Sequence, residues 1–325
     1  MRLKLVPTET KIDFFRFSTL ALGVSAVMAV LSVVAFFMFG LNYGIDFRGG
    51  SVIRTASPAP VEVSVYRSVL SGLELGDFSV TAVVDPGAEL TITERNSVMI
   101  RIEQQGDDPE TQNDLIAEVK SALSSEIDGI SFLQTDSVGA KVSGELVRAG
   151  IIAVVLAVFA VLFYIWLRFE WQFSLGAVVA LVHDVTLTIG IFALLQIEFN
   201  LSIIAAILTI VGYSLNDTVV VFDRVRENLR RFKAKPLKEV LNMSINETLS
   251  RTVMTSVTTL LALTALYVLG GDVIRGFTFA MIWGVVVGTY SSVFIASPIL
   301  LRLGVKRDWD KDSGAAGTQY ADIDA

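Results

Sequence analysis

One carboxylate stands inside a run of residues that otherwise favours leaving water. From Leu201 to Phe222 the chain reads as an apolar segment that admits Gly212, Tyr213, Ser214, Asn216 and Asp217. A charge within a membrane-length segment is costly, so Asp217 reads as a functional group with a partner elsewhere in the chain. The alternative is an Asp that caps the segment where it leaves the bilayer. Asp223 suits that interfacial role better, because Arg224 and Arg226 follow it. Two other apolar stretches carry polar groups at depth. One has His183 and Asp184 near its middle; the other opens with Ser250-Arg-Thr-Val-Met-Thr-Ser256 and carries hydroxyls on to Thr259. Adjacent helical residues do not face each other, so His183 and Asp184 are expected to point at different neighbours.

Asp217 and Arg251 lie toward the same ends of two consecutive antiparallel segments. Their charges therefore fall at similar depth. A carboxylate and a guanidinium that make and break contact form a proton-coupled switch. Arg251 also reads as a plain anchor at the bilayer surface, and His183 as a simple bundle contact. The chain has no cysteine and one histidine. It therefore offers no thiol chemistry and little for a zinc site, and no cofactor is expected. Nothing in it calls for nucleic acid.

The elements that hold these groups follow from composition. Of 325 residues, 53% are hydrophobic and 18% charged, against roughly a quarter charged in soluble domains. The excess gathers in runs of about 20 residues, the length of a membrane-spanning helix. Six are expected: Phe17–Phe39, Leu146–Leu167, Phe173–Leu195, Leu201–Phe222, Thr252–Leu269 and Phe277–Leu303. The first is too long for a cleaved leader. The sixth contains Gly284-Val-Val-Val-Gly288, which would let another helix approach closely and is expected to form part of the contact with a second six-span protein.

Between the first two spans lies a soluble pattern, residues 40–145. It opens with Gly44-Ile-Asp46-Phe-Arg-Gly49-Gly50, where the glycines suit a tight turn from helix to strand. Strands are expected at Ser51–Thr55, Phe78–Val84, Ser97–Ile102 and Ile130–Thr135, with a turn at Asp85-Pro-Gly87. Helices are expected at Ala59–Ser71 and Pro109–Ser125, the second with Leu115, Val119 and Leu123 on one face. The order βαββαβ is that of a ferredoxin-like domain. It is acidic, with 17 Asp and Glu against 7 Lys and Arg between Leu41 and Glu145, which a solvated surface explains.

Basic residues collect on the opposite side. Four precede the first span (residues 1–16), seven lie in the link 223–250, and Arg302, Lys306 and Arg307 follow the last span. The two opposite links hold only Arg275. Both termini are therefore expected in the cytoplasm and the acidic domain outside. The link reads as an amphipathic helix along the lipid headgroups, and residues 304–325 as a disordered tail.

Four stretches together resemble the SecF family of protein-export membrane subunits. They are Gly44–Gly50, Val211-Gly-Tyr-Ser-Leu-Asn-Asp-Thr-Val-Val-Val-Phe-Asp-Arg-Val-Arg-Glu-Asn228, Leu249–Ser256, and Gly276-Phe277 with the span after it. The resemblance covers nearly the whole chain. It implies the resistance-nodulation-division architecture of one span, a large outer domain and five further spans, in the bacterial inner membrane. It also implies a SecD partner, action after the SecYEG channel and the SecA motor, and use of the proton or sodium motive force to draw an unfolded exported polypeptide outward. Asp217 would be the ion-coupling carboxylate, Arg251 its partner, with Asn216, Asp184 and His183 beside them. Gly44, Asp46, Gly49, Gly50, Gly212, Asp223, Arg224, Gly284 and Gly288 would be structural. Two other readings stand against this one. A half-unit of a small-molecule or lipid efflux pump would normally carry two large outer loops. A scaffold that moves no ions would have no use for a costly pair such as Asp217 and Arg251.

Overall fold

The computed structural model describes residues 10–73, 75–83, 96–104 and 109–305. The expected Asp85-Pro-Gly87 turn and residues 306–325 lie outside them. Six helical segments among the described residues are long and apolar enough to cross a membrane. They are helical because hydrocarbon offers no partner for backbone N–H and C=O groups, and a helix satisfies them internally.

The chain enters through a 3-10 turn at Phe14–Phe17 and continues as α1, Ser18–Phe39. Just before the turn, two side-chain amides of a later helix grip the backbone. Asn246 accepts from Ile12 N at 2.9 Å and donates to Ile12 O at 2.9 Å, while Asn242 accepts from Phe14 N and donates to Ile12 O at the same distances. Most of α1 faces outward, but Ser25 and Ala35 are buried. Its closest approach is to Gly190, where an added Cβ would collide with Ser32.

A two-residue strand β1 (Asn42–Tyr43) and a single turn α2 (Ile45–Arg48) follow. Gly49 and Gly50 then reverse the chain with φ of 77° and 118°. Gly50 has a second reason to lack a side chain, since a Cβ would strike the carbonyl of Ile102. The sheet domain comprises β2 (Gly50–Ser57), α3 (Val63–Ser71), β3 (Phe78–Val83), β4 (Asn96–Ile102), α4 (Pro109–Glu126) and β5 (Ser131–Val138). Its antiparallel order is β3-β4-β2-β5, the ferredoxin-like arrangement. Ile53, Ile100 and Ile102 from the sheet pack on Tyr66, Leu70, Val119 and Leu123 of the two helices. Helix α3 starts at Val63 rather than Ala59, because Pro60 pushes the residue before it into extended backbone.

The remaining bundle comprises α5 (Ala140–Arg168), α6 (Trp171–Leu195), the short strand β6 (Glu198–Phe199), α7 (Leu201–Arg231), α8 (Leu237–Leu269) and α9 (Asp272–Ser291). A π turn at Ser292–Ala296 leads into α10, Ser297–Leu303. Pro298 cannot donate to the preceding turn and its ring crowds the carbonyl behind it. One wider turn absorbs the misfit, with Ser297 Oγ donating to Ser292 O at 3.1 Å.

Two expectations need correction. The stretch 223–250 is not a separate surface helix. It is the continuation of α7 to Arg231 and of α8 from Leu237, joined by residues 232–236. Val225 and Leu229 pack with Val240, Leu241 and Ile245, so helical periodicity persists on an apolar seam. Charge stitches the hairpin as well: Arg224 donates to Glu247 and to Glu227, each at 2.6 Å, and Asn228 donates to Ser244 at 3.0 Å and to Glu247 at 2.7 Å.

The second correction concerns Gly284 and Gly288, read from the sequence as a face for another helix to approach. Both lie inside this chain's own bundle. A Cβ on Gly284 would overlap Ile210, and one on Gly288 would sit 3.0 Å from Ser214 Cβ. Gly284→Leu should therefore unsettle the fold of this subunit by about 3 kcal/mol, read as a lowered midpoint of thermal unfolding in detergent.

Candidate functional site

Three helices build the site, and each repeats the same order along its length. On α6, Ala177 and Ala180 belong to one apolar cluster and Phe192 to another, with His183, Asp184 and Thr188 between. On α7, Ile207 and Ile210 belong to the second cluster and Val221 and Phe222 to the first, with Ser214, Asp217 and Thr218 between. On the α9 span, Ala280 and Met281 precede and Val293 follows, with Ser291 and Ser292 between. The result is a polar layer closed above and below by packed hydrocarbon. The spacing on α7 places 210, 214, 217, 218 and 221 on one helical face.

Asp184 is the best-held group in this layer, at 1% exposure. Its Oδ2 accepts from Ser214 Oγ at 2.6 Å and from Ser291 Oγ at 2.7 Å. Its Oδ1 lies 3.0 Å from His183 Nδ1. The expectation that His183 and Asp184 point at different neighbours is thus corrected. Their Cβ atoms diverge, but the imidazole is long enough to lean back onto the next residue's carboxylate. His183 Nε2 is buried and has no hydrogen-bond partner. Its ring lies 6.4 Å from that of Tyr290, whose hydroxyl is 2.9 Å from Ser25 of α1.

Asp217 is also buried, at 8% exposure, but is held less completely. Oδ1 accepts from Thr252 Oγ1 of α8 at 2.6 Å, whereas Oδ2 has no hydrogen-bond partner. Ser292 lies beside this carboxylate, and Arg251 is near enough to act on it by charge. Ser292 Oγ spends its bonds on Thr218 Oγ1 at 2.9 Å and the carbonyl of Gly288 at 3.0 Å. The Thr252 contact sets α7 and α8 in register, with residues 251 and 252 level with Asp217. Arg251 itself is exposed and forms no ion pair with Asp217 in this conformation. Higher along the same seam, Ser256 Oγ lies 2.7 Å from Thr289 Oγ1, and Tyr213 donates to Ser256 at 3.4 Å.

The other singled-out residues separate into places. Asn216 and Gly212 lie exposed on the outer face of α7, away from the polar layer. Asp223 pairs with Arg168 at 2.9 Å near the far end of that helix. Gly44 is buried at the foot of the sheet domain, and Asp46 accepts from Leu201 N at 2.9 Å. Sequence reading missed Ser291, Ser292 and Thr218. The signal was present: a Ser-Ser pair in an apolar span, with a proline six residues on. Attention to the glycines of that span hid it.

Known proteins are similar to this chain. Residues 118–306 match the family model of protein export membrane protein SecD/SecF, C-terminal, and residues 34–56 match the SecD/SecF GG motif. The chain is 53% identical over 324 residues to protein translocase subunit SecF of Cereibacter sphaeroides, covering 100% of this chain and 99% of that one. It is 44% identical to protein translocase subunit SecDF of Brucella abortus, covering 94% of this chain and 39% of that one. The crystal structure of SecDF from Thermus thermophilus, described as a translocon-associated membrane protein, superposes with a TM-score of 0.80 at 33% identity. That match covers 93% of this chain and 40% of the solved one.

Proposed function

Because this chain belongs to the SecD/SecF family of protein-export membrane proteins, we propose that it couples an ion gradient to the outward movement of exported polypeptide. It is a multi-pass membrane subunit of the protein translocase, and transport is its role. To that role we add a coupled gradient of protons or sodium, an orientation and a SecD-type partner. The observation that carries it is Asp217, buried in a sealed polar layer with one oxygen bonded by Thr252 and the other without a partner. Nothing about the relatives favours the efflux reading.

In the proposed cycle Asp217 alternates between an ionised state paired with Arg251 and a protonated state held by Thr252. The bare charge is expensive in such surroundings, so proton or sodium binding is tied to which neighbour α8 presents. Asp184, with His183 bonded to it, serves the same cycle less directly by fixing α6 against α7, while Asn216 faces outward from α7. The exported chain comes through SecYEG under ATP-driven SecA, and the sheet domain acts on it outside the inner membrane. Both termini stay in the cytoplasm, as the Lys and Arg distribution indicates. A reporter active only outside the membrane should report at Gln105 and stay silent at Ala234; the reverse result overturns this orientation.

The SecD-type partner is proposed to dock where small and polar residues face outward at bilayer depth. On α7 these are Ala205, Thr209, Gly212 and Asn216, and on α8 Arg251, Thr255 and Thr258, all exposed. Small residues allow close approach, and a guanidinium or amide facing lipid alone is unfavourable. This face replaces the Gly284–Gly288 face. Nothing lies within 4 Å of a Cβ added at Gly212. Gly212→Leu should thus leave the subunit folded but remove co-purification of the partner. Full recovery of the complex would place the interface elsewhere.

The central test uses membrane vesicles with and without an imposed gradient. Asp217→Asn removes the titration and should abolish the gradient-dependent part of export while ATP-driven translocation and assembly persist. Arg251→Met should also abolish the gradient-dependent part, and Arg251→Lys should rescue only partly, since an ammonium lacks the guanidinium fork. The double variant should be no worse than either single one if the two act as a unit. Asp217→Asn vesicles that still speed up under the gradient would reduce Asp217 to a structural contact.

A further inference from the structure

The segment Gly44–Gly50 does more than turn the chain from α1 into the sheet domain. It grips the loop between α6 and α7. Strand β1 pairs in parallel with β6, matching Asn42 to Glu198 and Tyr43 to Phe199. Gly44 N donates to Phe199 O at 2.9 Å. A Cβ on Gly44 would press on Asn200 at 3.3 Å. The rings of Tyr43 and Phe47 lie 6.3 and 5.9 Å from that of Phe199. From the sheet itself, Arg101 of β4 forms an ion pair with Glu198. The loop is therefore held from both the linker and the domain.

One of these contacts differs in kind. Asp46 Oδ2 accepts the backbone N–H of Leu201 at 2.9 Å. Leu201 is the first residue of α7, and that donor has no partner within the helix. The helix's own N-cap, Asn200, serves a different group, Ile203 N, at 3.3 Å. A carboxylate at a helix N-terminus gains from the helix dipole as well as from the bond. Asp46 thus belongs by sequence to the domain linker and by bonding to α7. Asp217 lies on the same unbroken helix, about 24 Å along at 1.5 Å per residue.

We propose that Asp46 is a positioning residue that fastens the sheet domain to the end of α7, so that displacement of α7 at Asp217 is delivered to the domain. This rests on the reading of Asp217 as the coupling carboxylate. A helix of this length moves as one piece, and its end is where a small tilt is largest. Without a fixed tie, tilt at Asp217 would dissipate in the five-residue connection between α6 and α7. With Asp46 bonded to the first turn, the linker follows the helix end, and β2 follows the linker through Gly49 and Gly50.

Spin labels at Ser124 of α4 and Ala234 beyond α7, both exposed, report the domain against the bundle in the assembled complex. With Asp46 intact, Asp217→Asn should shift the distance distribution. In an Asp46→Ala background that shift should vanish, and gradient-dependent export should be lost while ATP-driven export and the unfolding midpoint hold. Asp46→Asn should keep the shift, because the amide oxygen still accepts from Leu201 N. A second variant removes the other half of the bond: Leu201→Pro deletes the N–H where proline is tolerated at the first helical position. It should uncouple in the same way with Asp46 untouched. An Asp217→Asn shift of undiminished size in both Asp46→Ala and Leu201→Pro overturns the tie and leaves the coupling role of Asp217 standing. No shift even with Asp46 intact overturns the coupling reading and this assignment together.

Discussion

Everything in this bundle answers to the cost of keeping carboxylates away from water. Removing one from solvent costs several kcal/mol even after relaxation. A hydrogen bond to a charged group returns about 2 kcal/mol. Asp184 collects Ser214, Ser291 and His183, and about 6 kcal/mol from three such bonds is enough to offset the cost. Asp217 collects Thr252 alone as a full hydrogen bond. The two acids are thus unequal by construction. One is a fixed strut that locks α6, α7 and α9 together. The other is held by a single bond from α8, the helix whose neighbouring residue is Arg251.

The same constraint explains the architecture around the layer. Helices that carry these acids must be closely packed, so α6, α7 and the α9 span that braces them are far more buried than α1, α5 and α8, which face outward for most of their length. Small residues stand where the packed helices meet. Gly284 lies against Ile210, and Gly288 against Ser214. Since Gly288 also supplies the carbonyl that Ser291 and Ser292 bond, its lack of a side chain and its backbone both serve the polar layer. The π turn follows at once, so the hydroxyls of the layer sit at the junction of two helical pitches.

Much of this was legible in the sequence, and the failures have physical causes. Apolar runs gave the six spans because hydrocarbon leaves the backbone no other option. Alternation and turn residues gave the βαββαβ domain. Asp217 stood out because a charge in such a run has no bland surroundings. The extent of α7 and α8 did not stand out, because charged residues such as Arg224 and Glu247 obscure a periodicity that Val225, Leu229 and Val240 maintain. The direction of Gly284 and Gly288 was also hidden. A small-residue spacing says that something approaches closely, and only packing says whether it belongs to the same chain. The grip of Asp46 on Leu201 joins residues 155 apart, beyond any local pattern.

The amide clamp at the start of α1 has a consequence for how this chain can vary. Asn242 and Asn246 hold the entering strand by its N–H and C=O groups, which every residue except proline presents alike. The clamp is therefore blind to side-chain identity at residues 12–14. What restrains those positions lies elsewhere: the Asp13 carboxylate accepts from Phe15 N at 3.1 Å and caps the turn, and the Phe14 ring packs against that of Phe294. The two asparagines are held to their identity more closely, because a side-chain amide carries acceptor and donor on separate atoms of one short arm.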